Sequence, residues 1–257
     1  MQAREREPVL NAPWPAVFIA VSIVALYYLQ SMAADPMEPV AAWGLIPIRV
    51  QAGDYVGLFT AMLLHGNWPH ALVNAAFALA LGTPVARLMG SSARHAIAFF
   101  LFYLFCGVGA NALYVLMHAS SEVPLVGASG AVSGLMGASA RLMNTRGVLG
   151  PVLSRTVFSF TAAWVVLNVV LGLIGFAPGV GPAAIAWEAH LAGFFIGLLL
   201  IGPWAAWFGR RSIAEEAAQQ EGPWGPAGAP VPPQAPPSDS PPPRSPSEPT
   251  RGDDRVS

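Results

Sequence analysis

The sequence predicts an all-α, polytopic membrane helix bundle with six transmembrane helices and a disordered C-terminal tail. Three observations carry that prediction. First, 54% of the 257 residues are hydrophobic and only 11% are charged, less than half the roughly 25% of an ordinary soluble domain. Second, the apolar character is concentrated. The stretch from Trp14 to Phe208 is nearly charge-free, whereas the residues after Ser212 are rich in Pro, Ser, Asp and Glu. Third, the arginines fall between the apolar stretches in a pattern that an even number of membrane crossings explains.

A hydrocarbon core about 30 Å thick takes roughly 20 apolar residues of helix to cross. Six stretches meet or approach that length: Trp14–Ala33, Pro69–Met89, Arg94–Met117, Ser129–Met143, Leu153–Phe176 and Ala183–Phe208. Arg4 and Arg6 before the first stretch, with Ser31-Met32-Ala33 after it, resemble a cleavable signal. The apolar run is long for that purpose and more helices follow, so it is read as a retained membrane anchor. With six crossings, Arg4, Arg6, Arg87, Arg94, Arg141, Arg146, Arg155, Arg210 and Arg211 all fall on one side. That side is cytoplasmic by the positive-inside rule, which puts both termini there.

The chain therefore divides into a cytoplasmic N-terminus (1–13), a six-helix domain (14–208) and a proline-rich cytoplasmic tail (209–257). The tail lacks an apolar period and cannot bury a core. Its Pro232-Pro233 and Pro241-Pro242-Pro243 runs suit a plain tail or a docking segment. The loop from Ala34 to Trp68, with Trp43, Leu45, Ile46, Tyr55, Leu58 and Phe59, is too apolar for a solvated linker. It is expected to fold against the bundle at the outer interface.

A net charge of −1 and the lack of a basic run argue against nucleic-acid binding. The single cysteine, Cys106, allows no intrachain disulfide and reads as a small core residue. No CxxC, HExxH or Cys/His cluster implies a metal or cofactor.

Polar residues inside apolar helices are costly and point to function. Three groups stand out: His70 and Asn74, with His65 just ahead; Gly127-Ala128-Ser129-Gly130; and Ala189-His190 followed by Gly193 and Gly197. His70 and Asn74 are spaced i, i+4 on one helix face, where both can donate hydrogen bonds to an oxygen that becomes negative. As a bland alternative, they tie neighbouring helices together. His65, nearer the interface, is read as holding loop structure.

The fourth stretch reaches Arg141 twelve residues after Ser129, which covers only about 18 Å of helix. It cannot span, so Ser129 is expected roughly 10 Å below the outer surface. Backbone that is irregular at such depth is tolerated only beside a cavity. Counting from Pro182 as the outer start of the sixth helix places His190 about 12 Å deep, at a matching level. Small-xxx-small stripes at Gly130/Gly134 and Ala189/Gly193/Gly197 would let those two helices approach closely. The stripes also suit bundle packing alone.

A serine hydroxyl becomes a nucleophile when a base takes its proton, and histidine is the usual base. Glu188 lies about 200° around the helix from His190 and points elsewhere. The arrangement is thus read as a Ser129–His190 dyad, a two-membered variant of triad logic. His70, Asn74 and the Ser129 N–H would serve as oxyanion donors, and Gly127 is grouped with them as an oxyanion or substrate contact.

Six helices carrying His70-xxx-Asn74 in the second, Gly127-Ala128-Ser129-Gly130 at the start of a short fourth, and Ala189-His190-xx-Gly193 in the sixth resemble the rhomboid family of intramembrane serine proteases. The resemblance covers Trp14 to Phe208. It implies Ser129 as nucleophile, His190 as general base, and His70 and Asn74 as oxyanion contacts. It also implies substrates that are single-pass membrane proteins. Membrane lipid is the other expected partner, no cofactor is expected, and a bacterial inner membrane suits the arginine-only basic usage. Two features depart from the family pattern. Many members carry an aromatic residue under the histidine, four positions after the nucleophile, where this chain has Ser133. The Trp-Arg pair of the first loop is replaced by separate Trp43 and Arg49. A non-catalytic rhomboid-like protein that binds membrane clients is the main rival, and a small channel or transporter the second.

Overall fold

A computed structural model describes residues 12–145, 147–174 and 186–208 of the chain. The expected cytoplasmic N-terminus lies almost wholly outside the described residues, as do Arg146, Pro182 and the proline-rich tail from residue 209. The described residues are helical, and the nearest approach to a sheet is an isolated antiparallel bridge between Leu45 and Leu125.

The helices, in chain order, are α1 (Trp14–Ser31), α2 (Glu38–Trp43), α3 (Pro47–Gln51), α4 (Gly57–Thr60), α5 (Trp68–Met89), α6 (Ala93–Met117), α7 (Ser129–Ala140), α8 (Arg155–Ile174) and α9 (Trp187–Phe208). A 3₁₀ turn, Ala61–Leu63, follows α4. Helices α1, α5, α6, α8 and α9 are long and apolar enough to cross a membrane. With the short α7 they occupy the six expected stretches. The bounds of α1, α5 and α6 fall within two residues of expectation, and those of the other three helices differ as follows. The fourth helix stops at Ala140, so Leu142 and Met143 form a turn instead. The fifth begins at Arg155 rather than Leu153. The sixth is described only from Trp187, which puts His190 in its first described turn.

Helix α7 is the centre of the bundle. Every residue from Gly130 to Ala140 is buried, and the helix packs against α9, α6 and α5. Its composition explains this placement, because six of the twelve residues are Gly or Ala, which let neighbouring backbones close in. Large side chains fill the space around it: Phe99, Phe102, Leu135, Met89 and Ile201 are fully buried. Outward-facing residues are apolar too, with Phe18, Val21, Leu29, Phe77, Leu101, Phe158 and Leu199 exposed. In water such a surface would be an aggregation liability; in hydrocarbon it is the ordinary exterior.

Contacts sort into two ends. At one, Trp14 and Phe18 meet Phe100, and the Trp204 indole donates to the Ala98 carbonyl at 3.1 Å. At the other, Tyr27 meets Trp68 edge-on and Glu188 lies 3.4 Å from His118. The segment from Ala34 to Asn67 folds at this second end, as its apolar content predicts, with Leu45, Ile46, Ala61 and Met62 buried. Side-chain-to-backbone bonds hold it. Asn111 Nδ2 donates to Leu58 O (2.9 Å), Arg49 donates to Ala41 O (2.9 Å), and Gln30 clamps His65 by accepting from its N–H (3.0 Å) and donating to its carbonyl (2.8 Å).

Candidate active site

Ser129 is the first residue of α7, so its N–H is one of the helix-terminal donors that have no partner within the helix. The approach to it is specified by backbone. Leu45 and Leu125 exchange hydrogen bonds of 2.9 and 2.8 Å, and the Gly127 N–H donates to Ala61 O at 2.9 Å. Gly127 itself holds φ +129°, a conformation that glycine adopts freely and L-residues rarely do. A Cβ there would lie 2.7 Å from the His70 ring and 3.6 Å from Ser129 Oγ. The missing side chain is what leaves room for the imidazole beside the serine.

His70 sits in the first turn of α5. Asn67 caps this helix, its side chain accepting from the His70 N–H at 2.8 Å. Asn74 follows one turn on, 5% exposed, and its Nδ2 has no hydrogen-bond partner in the described structure. His65 is fully buried, its ring between Tyr27 and His70. Burial, helped by the neighbouring His70, pushes its pKa down to about 3.

The small-residue stripes of α7 and α9 face each other. A Cβ on Gly193 would overlap the Gly130 carbonyl, and one on Gly197 would overlap the Gly134 carbonyl. Both helices run down from the same end, so the contact brings their first turns together. There His190 Nε2 lies 2.8 Å from Ser129 Oγ. Glu188 does not take part: its carboxylate points to His118, at 3.4 Å.

One residue in contact with His190 was not among those singled out from the sequence. His190 Nδ1 lies 3.0 Å from Asn168 Oδ1, and Asn168 is a buried residue of α8. The signal was present, because Asn168 interrupts the apolar run Trp164-Val165-Val166-Leu167, and polar residues inside such helices point to function. A search for a third member restricted to Asp and Glu passed over it. Ser133, at the position of the absent aromatic, is buried in α7.

The geometry can support proton transfer from Ser129 Oγ to a bare His190 Nε2, with the His70 ring of α5 close by across Gly127. Among the described residues, no group of three or more His, Cys, Asp or Glu side chains is placed to hold a metal.

A family model described as the Rhomboid domain matches residues 52–206. "Rhomboid protease GluP" of Bacillus subtilis is 29% identical over 206 residues, covering 77% of this chain and 37% of that protein. "RHOMBOID-like protein 5" of Arabidopsis thaliana is 28% identical over 153 residues, covering 59% of this chain and 46% of that protein. The chain thus spans less than half the length of these curated relatives.

Proposed function

This chain belongs to the rhomboid family, and on that footing we propose that it is an intramembrane serine endopeptidase cutting transmembrane segments of single-pass membrane proteins. The observation that carries the reading is the 2.8 Å contact between Ser129 Oγ and His190 Nε2. It occurs within an integral, multi-pass helical protein, where a polar pair needs a reason to persist. In the reaction, His190 takes the hydroxyl proton as Ser129 Oγ attacks the scissile carbonyl carbon. The resulting oxyanion is held by the Ser129 N–H, His70 and Asn74 Nδ2, which has no partner among the described residues. The N-terminal end of α7 also favours negative charge there. His190 then gives the proton to the leaving amine. A water activated by the same imidazole releases the acyl group and restores Ser129.

The positions of the arginines support an orientation with both termini in the cytoplasm, in a bacterial inner membrane. Arg87, Arg94 and Arg141 stand where α5 ends, α6 begins and α7 ends, at the end of the bundle opposite Ser129 and His190. The reactive pair accordingly faces the non-cytoplasmic half of the bilayer.

The test needs no natural substrate. Purified protein in detergent is treated with a fluorescent fluorophosphonate, which reacts with activated serines. Labelling of the wild type that disappears in Ser129→Ala and in His190→Ala is the expected result. A folded wild type that takes no label would favour a client-binding rhomboid-like protein instead.

A further inference from the structure

We infer that Asn168, on α8, is the positioning residue that sets the tautomer of His190. The inference deepens the proposed function, since it rests on His190 being the base.

The argument begins with the amide. Asn168 Nδ2 donates to the Trp164 carbonyl, one turn back along α8, at 2.9 Å. Turning the amide over would set Oδ1 against that carbonyl, acceptor facing acceptor, and lose the bond. The orientation of the side chain is therefore decided within α8, before the histidine is considered. It leaves Oδ1, which can only accept, pointing at His190 Nδ1 at 3.0 Å.

An acceptor at that position requires the proton on Nδ1. A neutral imidazole carries one ring proton, so Nε2 is then bare, and it is Nε2 that lies 2.8 Å from Ser129 Oγ. The opposite tautomer would fail twice. Nδ1 and Oδ1 would repel as two acceptors, and an Nε2–H would face the serine with no lone pair to take its proton. The same logic makes the wrong tautomer ruinous in serine proteases with a third member.

The chemistry of the third group fits its surroundings. A carboxylate buried in a membrane bundle carries a heavy desolvation cost, whereas a neutral amide already bonded to its own helix carries little. Asn168 is 3% exposed and Glu188 is committed to His118. Asn168 is thus the group in contact with Nδ1 that can orient the ring without adding a buried charge. Ser133 is buried, but its side chain has no ring face on which an imidazole could rest.

Two measurements test this. In the first, the protein is labelled with ¹⁵N-histidine and its spectrum recorded at mildly alkaline pH, with the His190 signals identified by their loss in His190→Ala. The expected spectrum shows a protonated Nδ1 and a bare Nε2. A wild-type His190 protonated on Nε2 overturns the inference, and this arm requires no Asn168 variant to fold. In the second, fluorophosphonate labelling rates are compared among wild type, Asn168→Leu and Asn168→Asp. Leu keeps the approximate shape and removes the acceptor, whereas Asp, held protonated by its apolar surroundings, keeps an accepting oxygen for Nδ1 and an O–H for the Trp164 carbonyl. Asn168→Leu is expected to label at least about tenfold more slowly and to gain the Nε2-protonated form, with Asn168→Asp recovering most of the rate. A folded Asn168→Leu that labels at the wild-type rate overturns the inference. A wild type that takes no label defeats the proposed function instead, while the spectrum still reports whether Asn168 sets the tautomer.

Discussion

Gly193 of α9 presses against the carbonyl oxygen of Gly130 in α7 so closely that a Cβ on Gly193 would overlap it. This contact lies one turn from the Ser129–His190 hydrogen bond and sets the distance between the two helices at that level. Gly193→Ala is expected to force the helices apart at an overpacking cost of about 1–3 kcal/mol. The polar contact tolerates less displacement than the fold does. Fluorophosphonate labelling should therefore fall by more than tenfold, while the variant still elutes as a folded species with a lowered Tm. Wild-type labelling by Gly193→Ala would mean that this close approach does not set the site.

Gly127 offers a second, independent way to disturb the site through space alone. At φ +129° an L-residue is strained, at a cost of about 1–3 kcal/mol, and its Cβ would lie 2.7 Å from the His70 ring. Gly127→Ala should displace that ring from its place beside Ser129. The expected outcome is strongly reduced labelling with a modest fall in Tm. Equal loss in both would indicate that Gly127 serves the fold rather than the site.

Much of this arrangement was legible in the sequence, for identifiable reasons. The long helices were readable because a membrane-spanning element must be an uninterrupted apolar run, and α1, α5 and α6 match their stretches to within two residues. The brevity of α7 followed from counting residues between Ser129 and Arg141. The facing glycine stripes followed from periodicity. Less was legible where no period exists. Helices α2, α3 and α4 are four to six residues long, too short for a repeating pattern, and are held by bonds such as Asn111 to Leu58 that join residues far apart in the chain. Asn168 was missed for a chemical reason. The partner of His190 was sought as a carboxylate, and the side chain that lies against its Nδ1 is a neutral amide.

His65 predicts a dependence of stability on pH. Its ring is fully buried and neither nitrogen has a hydrogen-bond partner among the described residues, and burial first, then the neighbouring His70, pushes the folded-state pKa from 6.5 to about 3. The folded state thus refuses a proton that the unfolded chain accepts. The stability conferred by a neutral His65 is complete above pH 6.5, declines as pH falls below it, and is exhausted near pH 3. His65→Phe keeps a ring between Tyr27 and His70 and removes the titration. Thermal melts between pH 7 and pH 4 should show a flatter decline for the variant than for wild type. Parallel declines would show that His65 takes up protons without unfolding.

Asn74 separates stability from reactivity most cleanly. Its Nδ2 is buried without a hydrogen-bond partner among the described residues, so the folded protein already bears the cost of an orphaned donor, about 1–3 kcal/mol. Replacing it with a residue of similar volume that needs no partner removes that cost. Asn74→Leu should therefore melt at or above the wild-type temperature. If the amide is aimed at an oxyanion, the same substitution should slow the reaction by about 10²–10³-fold, read as the rate of fluorophosphonate labelling or of cleavage once a substrate is in hand. A residue that merely bonds neighbouring helices would show the reverse, with Tm falling and the reaction rate little changed. Opposite signs in the two measurements are thus the mark of a donor held unpaired for the transition state.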